Sequence, residues 1–388
     1  MKIVLAGAGG YGQTYLKSLE TLGLFGSLCG VADPFASGSS YYGRIRECGV
    51  PVYDTLDEFY KHHSADLAIV SSPIHFHEEQ TITALLNNSH VLCEKPAAAT
   101  TAQALNMKRA AEQTGRKLGV GFQWSHSERM RAFKKDISAG RFGKPLLFKT
   151  MMYWPRPNAY YETSSWKGRL KSDDGRPVND SVATNATAHY LHNIFFLLGG
   201  APDASAMPDT IRGSVFRFRD IESFDTIFLR GAFENGAFFY YSATHCCGGN
   251  DAAVFELEFD ESKVFMDIHM NTTVRRLDGT LENLYGGVED NGLNGKLKLM
   301  MDAIENDTPV LCGIDTVLPS VTVTTKIFET FNIQNFGAGT VYKTENPAGA
   351  GVRGLYEAMV NCYKNALLPD EYENFPLPDA RVNGARFV

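Results

Sequence analysis

The sequence predicts an α/β chain whose first third is a doubly wound parallel sheet, followed by an α+β region built on a large, mostly antiparallel sheet. Three observations lead there. A short apolar strand runs directly into a glycine-rich turn and a helix, strand and helix patterns then alternate up to residue 122, and from residue 215 onward period-two alternation takes over. At 388 residues the chain also exceeds the length at which one hydrophobic core usually stops growing.

Taken in order, Lys2 to Ala6 is the first strand, and Gly7-Ala8-Gly9-Gly10-Tyr11-Gly12 follows it. Glycines at 7, 9 and 12 allow a tight turn, close approach of a pyrophosphate and helix-on-strand packing. Tyr15, Leu16, Leu19 and Leu22 recur at helical spacing, with Gly23 as the stop. Asp33, 21 positions after Gly12, ends the second strand. A carboxylate there accepts hydrogen bonds from ribose hydroxyls and repels a 2′-phosphate, which favours NAD over NADP. Its alternative role is to cap the turn at Pro34, and Ser37, Ser39, Ser40 and Arg44 keep NADP open.

Asp66 to Ser71 is the next strand and ends in Ser72-Pro73-Ile74-His75-Phe76-His77. With no third ligand near His75 and His77, His77 reads as a helix-start or cofactor-pocket residue, and no metal site is expected. Val91 to Cys93 is a short buried strand, and Glu94-Lys95-Pro96 stands at its carboxyl end, where open α/β sheets bind ligands. A lone lysine there is ordinarily a solvated charge. Leu118 to Phe122 closes the series of strands, with Gln123 after it. Cofactor contacts are expected from Gly7, Gly9, Gly10, Tyr11, Gly12, Asp33, Ser72, Pro73 and His77, and the resemblance set out next adds Glu94, Lys95 and Gln123.

The combination of Gly7-x-Gly9-x-x-Gly12, Asp33, Pro73-x-x-x-His77, Glu94-Lys95-Pro96 and Gly119-Val120-Gly121-Phe122-Gln123 resembles the glucose-fructose oxidoreductase / inositol dehydrogenase (Gfo/Idh/MocA) family. The resemblance implies a Rossmann-type NAD-binding domain over residues 1–124, with Lys95 beside the nicotinamide and the substrate hydroxyl. It implies a substrate-binding and oligomerisation domain over 125–331 whose sheet is open-faced and packs against another subunit, giving a homodimer or homotetramer. Residues 332–388 form an extension expected to pack on the core.

In the second region Val215 to Arg219, Thr226 to Phe233 and Ala237 to Ala243 read as strands, with a hairpin at Glu234-Asn235-Gly236. Phe255, Leu257 and Phe259 alternate with Glu256 and Glu258, the pattern of a sheet with one buried face. Ahead of these lies Asn185-Ala186-Thr187-Ala188-His189-Tyr190-Leu191-His192, where helical spacing puts Asn185, His189 and His192 on one face. The family's commoner pattern places Asp where Asn185 and His192 stand. One branch carries Asn together with Tyr-Tyr and Trp-x-Gly, as Tyr160-Tyr161 and Trp166-Lys167-Gly168 do here. Trp154, Arg156, Tyr160, Tyr161 and Trp166 suit either a sugar site or packing beneath a loop. Lys167, Arg169 and Arg176 suit either an anionic substituent or solvent. The expected catalytic set is Lys95, His189 and Asn185, and the substrate set adds Trp154, Tyr161, Trp166 and His192.

A formal charge of −7 disfavours a nucleic-acid partner, and the seven cysteines show neither a disulfide framework nor a zinc spacing. No run is long enough to span a bilayer, and a cytoplasmic setting is the simplest. The function implied is hydride transfer between NAD and a sugar, polyol or derivative. A glycoside hydrolase or lyase that recycles its NAD through a transient keto-sugar is the runner-up, and a non-catalytic NAD-dependent sensor is the third reading.

Overall fold

The computed structural model describes residues 1–246, 252–267, 269, 271–286, 291–343, 350–377 and 379–387. Along the first part run β1 (Ile3–Ala6), α1 (Gly12–Thr21), β2 (Leu28–Ala32), α2 (Tyr42–Glu47), β3 (Val52–Tyr53), α3 (Leu56–His62), β4 (Leu67–Val70), α4 (His77–Leu86), β5 (His90–Cys93), α5 (Thr101–Thr114) and β6 (Leu118–Val120). Helix starts follow local chemistry. The Thr55 hydroxyl accepts the Glu58 N–H, and Thr100 with Gln103 forms a reciprocal capping box.

After α6 (Glu128–Ser138) come β7 (Pro145–Tyr153), α7 (Asn158–Glu162), α8 (Ala188–Leu198), β8 (Thr210–Arg217), β9 (Thr226–Ala232), β10 (Phe238–Thr244), β11 (Ala252–Phe259), β12 (Ser262–Met266), β13 (Thr272–Arg276) and β14 (Leu281–Leu284). The chain continues through α9 (Asn291–Glu305), α10 (Ile314–Thr330), β15 (Ile333–Asn335), β16 (Val341–Lys343), β17 (Ala350–Val352), α11 (Leu355–Asn365) and β18 (Asn383–Arg386).

The chain divides into two units, Met1–Glu128 with Glu289–Val321, and Arg129–Val288 with Thr322–Val388. This differs from the three consecutive pieces the sequence suggests. Residues 289–321 return to the first unit because α9 offers Leu297 and Met300 to the core made by Tyr15, Leu16, Leu19 and β1. The return is tied down by the Val120 N–H to the Cys312 carbonyl and by an exposed Lys108–Asp315 pair. Residues 332–388, set apart as an extension above, belong to the second unit.

The first unit holds a six-stranded sheet in the order β3-β2-β1-β4-β5-β6, every pairing parallel. The order reverses between β1 and β4, the position at which doubly wound sheets open a crevice at their carboxyl ends. β1 and β4 are wholly buried, as a strand covered on both faces must be.

The second unit is organised on a ten-stranded sheet, β14-β13-β12-β11-β7-β10-β9-β8-β15, with β18 also on β8. Only β7–β10 and β8–β15 pair in parallel. On one face α8 supplies Phe195, edge-to-face with Phe239 at 5.1 Å, and Tyr190, stacked on Phe255 at 5.3 Å. The other face, expected to stand open, is instead covered over β7 to β10 by this chain's carboxyl-terminal segment. Leu355, Met359, Cys362, Tyr363 and Phe375 lie against Met151, Phe216, Phe228 and Tyr240. Beyond β7 the same face turns charged, with Lys149 set between Glu256 and Glu258. Among the described residues no helix is long and apolar enough to cross a membrane.

Candidate functional site

In the first unit the β1–α1 turn is built by close backbone approach. The Gly12 N–H donates to the Gly9 carbonyl, and a Cβ at Gly12 would lie 1.9 Å from the Gly7 oxygen. An added Cβ at Gly9 or Gly10 would meet nothing within 4 Å, so the turn leaves open space of the kind a pyrophosphate fills at the start of α1. Asp33 fills the second of its two anticipated roles, the capping of the turn at Pro34. Its Oδ2 accepts the Ala8 N–H at 2.7 Å, drawing β2 to the glycine turn, and its Oδ1 accepts the Phe35 N–H at 2.8 Å beyond Pro34. Both oxygens retain lone pairs for a ribose.

Ser72 and Pro73 follow β4, with the Ser72 hydroxyl bonded to Gln80. His77 does open α4, and its two ring nitrogens face the carbonyls of Pro96 and Ser72, each at 2.9 Å. It thereby ties the end of β4 to the end of β5, and burial lowers its pKa below that of an ordinary histidine. Gln123, half-buried, heads the short turn after β6.

The end of β5 carries a buried ion pair that the sequence did not disclose. Glu94, 5% exposed, accepts the Tyr15 hydroxyl at 2.6 Å, the Lys95 N–H at 3.1 Å and the ammonium of Lys296, itself 0% exposed. Burial pushes the Glu94 carboxyl up, yet Lys296 and these donors more than offset it and hold the group below the usual carboxylate range. Lys296 also donates to Tyr11 at 3.2 Å and lies over the Tyr11 and Tyr15 rings at 4.5 and 4.8 Å. Gly121 is required for this packing, because a Cβ there would stand 2.5 Å from Glu94 Oε1. Lys95 follows, half-buried, across a cis bond to Pro96. The signal available in sequence was the position of Lys296 four residues before Met300, on the apolar stripe of α9.

In the second unit a separate polar cluster forms around Tyr160 and Tyr161. The Asn185 amide donates to the Tyr160 hydroxyl at 2.9 Å and to Asp180 at 3.0 Å, and the second Asp180 oxygen accepts the Gly168 N–H at 2.6 Å. Gly168 has φ of +70° and no room for a Cβ beside Ile221 and Tyr161, which explains the glycine of Trp166-Lys167-Gly168. Tyr161 bonds to His245 Nδ1 at 2.8 Å. His245 is buried, and burial, with Arg156 and Arg219 nearby, pulls its pKa well below the ordinary histidine range. Its Nε2 is buried without a hydrogen-bond partner.

Two cations stand over the same tyrosine ring, Lys167 Nζ at 4.3 Å and Arg156 Cζ at 5.2 Å from the Tyr160 centroid. Burial lowers the Lys167 pKa, Asp180 opposes the shift and Arg156 adds to it. Arg169 and Arg176, grouped with Lys167 on sequence, are instead engaged by Asp173 with Glu222 and by Asp174.

Several expectations shift at α8. The helix begins at Ala188, so Asn185 stands in the turn before it rather than on a shared helical face. His189, half-buried, is in the first helical turn. His192 is 1% exposed and stacks on Phe196 at 6.0 Å, which places it in the packed side of the helix. Trp154 lies under the Arg156 guanidinium, 4.9 Å from its ring, and Trp166 sits half-buried in the loop before Gly168. Asp180, His245 and Arg219 were missed: each is a single polar residue in unpatterned sequence, joined to the site only by tertiary contact.

Comparison with known proteins agrees with this architecture. Residues 1–122 match the Gfo/Idh/MocA oxidoreductase family, NAD-binding Rossmann fold. The chain is 35% identical over 149 residues to a 1,5-anhydro-D-fructose reductase of Ensifer adhaerens, covering 38% of this chain and 42% of the reductase. It is 27% identical over 164 residues to an inositol 2-dehydrogenase of Pseudomonas savastanoi pv. phaseolicola, covering 42% and 49%. The chain thus spans less than half the length of the curated relatives it matches. The WlbA dehydrogenase of Bordetella pertussis, solved with NADH and UDP-GlcNAcA, shares the fold over 84% of this chain and 95% of that one, with a TM-score of 0.70 at 18% identity. With its glycine turn and Asp33, the segment 1–122 is thus similar to the NAD-binding Rossmann domain of the Gfo/Idh/MocA oxidoreductase family.

Proposed function

We propose that the protein is an NAD-dependent oxidoreductase that moves a hydride between the nicotinamide and a carbon bearing a hydroxyl on a sugar or polyol. The observation that carries this is Lys95, set by the buried Glu94–Lys296 pair at the carboxyl end of β5, in the sheet whose β1 and β2 ends carry the glycine turn and Asp33. The bound nicotinamide supplies the hydride acceptor or donor. Asp33 holds the adenosine ribose, and the open turn at Gly9 and Gly10 receives the pyrophosphate. Lys95 holds the substrate oxygen and stabilises the negative charge that develops on it. His189 takes or returns the hydroxyl proton, a role that contributes about 10²–10⁴-fold in rate. Asn185, fixed by Tyr160 and Asp180, orients the sugar and transfers no proton. The names of the curated relatives support a carbohydrate or polyol substrate.

The Asn185–Tyr160–Asp180 arrangement also favours a second reading, net elimination or glycoside cleavage through a transient keto-sugar with internal return of the hydride. Burial raises the Tyr160 pKa above the ordinary tyrosine value, which keeps its hydroxyl protonated and able to hydrogen-bond a substrate oxygen. One experiment separates the readings. Purified protein, stoichiometric NAD and a panel of sugars, polyols and glycosides are followed by the absorbance of reduced nicotinamide while products are analysed. Lasting NADH with a keto product supports the dehydrogenase, and product without net NADH supports recycling. A well-folded Lys95→Ala variant with unchanged turnover would overturn both.

A further inference from the structure

We propose that Arg156 and Lys167 form a subsite for a negatively charged substituent of the substrate, a carboxylate or a phosphate, above the Tyr160 ring. The inference rests on the carbohydrate reading above and narrows it to acidic sugars or sugar phosphates. Two cations gathered at one aromatic ring repel each other, and neither has a carboxylate within ion-pair distance among the described residues. Among the described residues Lys167 donates to the Thr163 hydroxyl alone, at 2.7 Å, and the Nε of Arg156 is buried without a hydrogen-bond partner.

The nearby acids answer other groups. Asp180 accepts from the Gly168 N–H and the Asn185 amide, and Asp225 accepts from the backbone of Phe218 and Arg219 and pairs with the Arg219 guanidinium at 3.6 Å. Removing cations from water without an opposite charge is costly, so a fold that gathers them provides for an anion. Arg156 offers a planar fork to an oxyanion and Lys167 a mobile point charge. Tyr160 is at the same time the acceptor of the Asn185 amide, so an anion held here places the sugar beside Asn185.

The test uses matched probes on the full-length protein: D-glucose, D-glucuronate and D-glucose 6-phosphate, and D-galactose with D-galacturonate, each assayed with NAD for kcat/KM. Inorganic phosphate binding is measured by calorimetry alongside. The acidic member of a pair is expected to exceed its neutral parent by at least about tenfold, and Arg156→Gln and Lys167→Met, made separately, each abolish that advantage. Preference for the uronates assigns a carboxylate, and preference for the 6-phosphate assigns a phosphate. Turnover of the neutral sugars with an acid-to-neutral ratio unchanged in both variants overturns the subsite and leaves the oxidoreductase reading intact. If no sugar reacts, phosphate binding that both variants weaken at least tenfold supports the subsite while counting against the proposed substrates. Phosphate binding that is absent, or the same in both variants, overturns it.

Discussion

Replacing Lys296 by Met tests the buried ion pair at the end of β5. Methionine keeps most of the side-chain length, so the change removes the ammonium and leaves Glu94 in place with the Tyr15 hydroxyl and the Lys95 N–H as its remaining donors. Breaking a buried pair from one side costs about 3–5 kcal/mol, because the other charge is left uncompensated, whereas removing both charges is often nearly neutral. Lys296→Met should therefore lose about 3–5 kcal/mol, and Glu94→Gln added to it should restore a large part, a coupling well above the half kcal/mol expected of independent sites. Urea unfolding in a Trp154→Phe, Trp166→Phe background leaves Trp124 as a fluorescence reporter inside the first unit.

The pH dependence should also invert. In the parent the Glu94 pKa is depressed, so its stabilisation is present above the unfolded carboxyl value of about 4.3 and is lost as pH falls through the folded value. In Lys296→Met the main opposing charge is gone, and burial, the largest single cause, outweighs what Tyr15 and Lys95 still contribute and raises the pKa, so the stabilising protonated form is lost as pH rises from about 4.3. A variant within about 0.5 kcal/mol of the parent, and indifferent to Glu94→Gln, would refute the reasoning.

Three further outcomes follow from the geometry. Gly12→Ala must move the Gly7 carbonyl, 1.9 Å from the new Cβ, and should weaken NAD binding by at least about tenfold in a titration of intrinsic fluorescence. His245 is held neutral, so the unfolded state binds more protons below about pH 6.5 and stability falls as pH drops from there towards the folded value; His245→Gln should flatten that part of the melting-temperature profile. Met359→Ala empties a wholly buried position on the sheet-facing side of α11 and should cost about 2–5 kcal/mol in the unfolding of the second unit.

What could be read from sequence was what short-range chemistry dictates. The glycines at 7, 9 and 12, the alternation of Phe255, Leu257 and Phe259, and the turn at Gly236 each depend on residues within a few positions. The Asn185 segment failed as a helix for a local reason that hydrophobic periodicity does not register. The Thr184 hydroxyl accepts the Ser181 N–H and donates to the Asn179 carbonyl, and the Ser181 hydroxyl accepts the Ala183 N–H, side-chain bonds that shape a separate turn between Ser181 and Thr187 ahead of α8. β8 starts earlier than expected because Gly213 interrupts the apolar pattern. That glycine permits close strand contact, with a Cβ placed only 2.2 Å from the Phe228 oxygen. Glu94 with Lys296, and Tyr161 with His245, are joined across 202 and 84 positions, distances over which one sequence carries no pairing signal.

The placement of α11 gives the large sheet an intramolecular substitute for a docking subunit. A second copy approaching that face would meet a helix over β7 to β10 and a lattice of lysine and glutamate beyond it, instead of a continuous apolar plane. Met151, Phe216, Phe228 and Tyr240 depend on the chain's last residues for their cover. Shortening the carboxyl terminus to a point before α11 would accordingly leave these apolar side chains as an exposed adhesive patch in place of a finished surface.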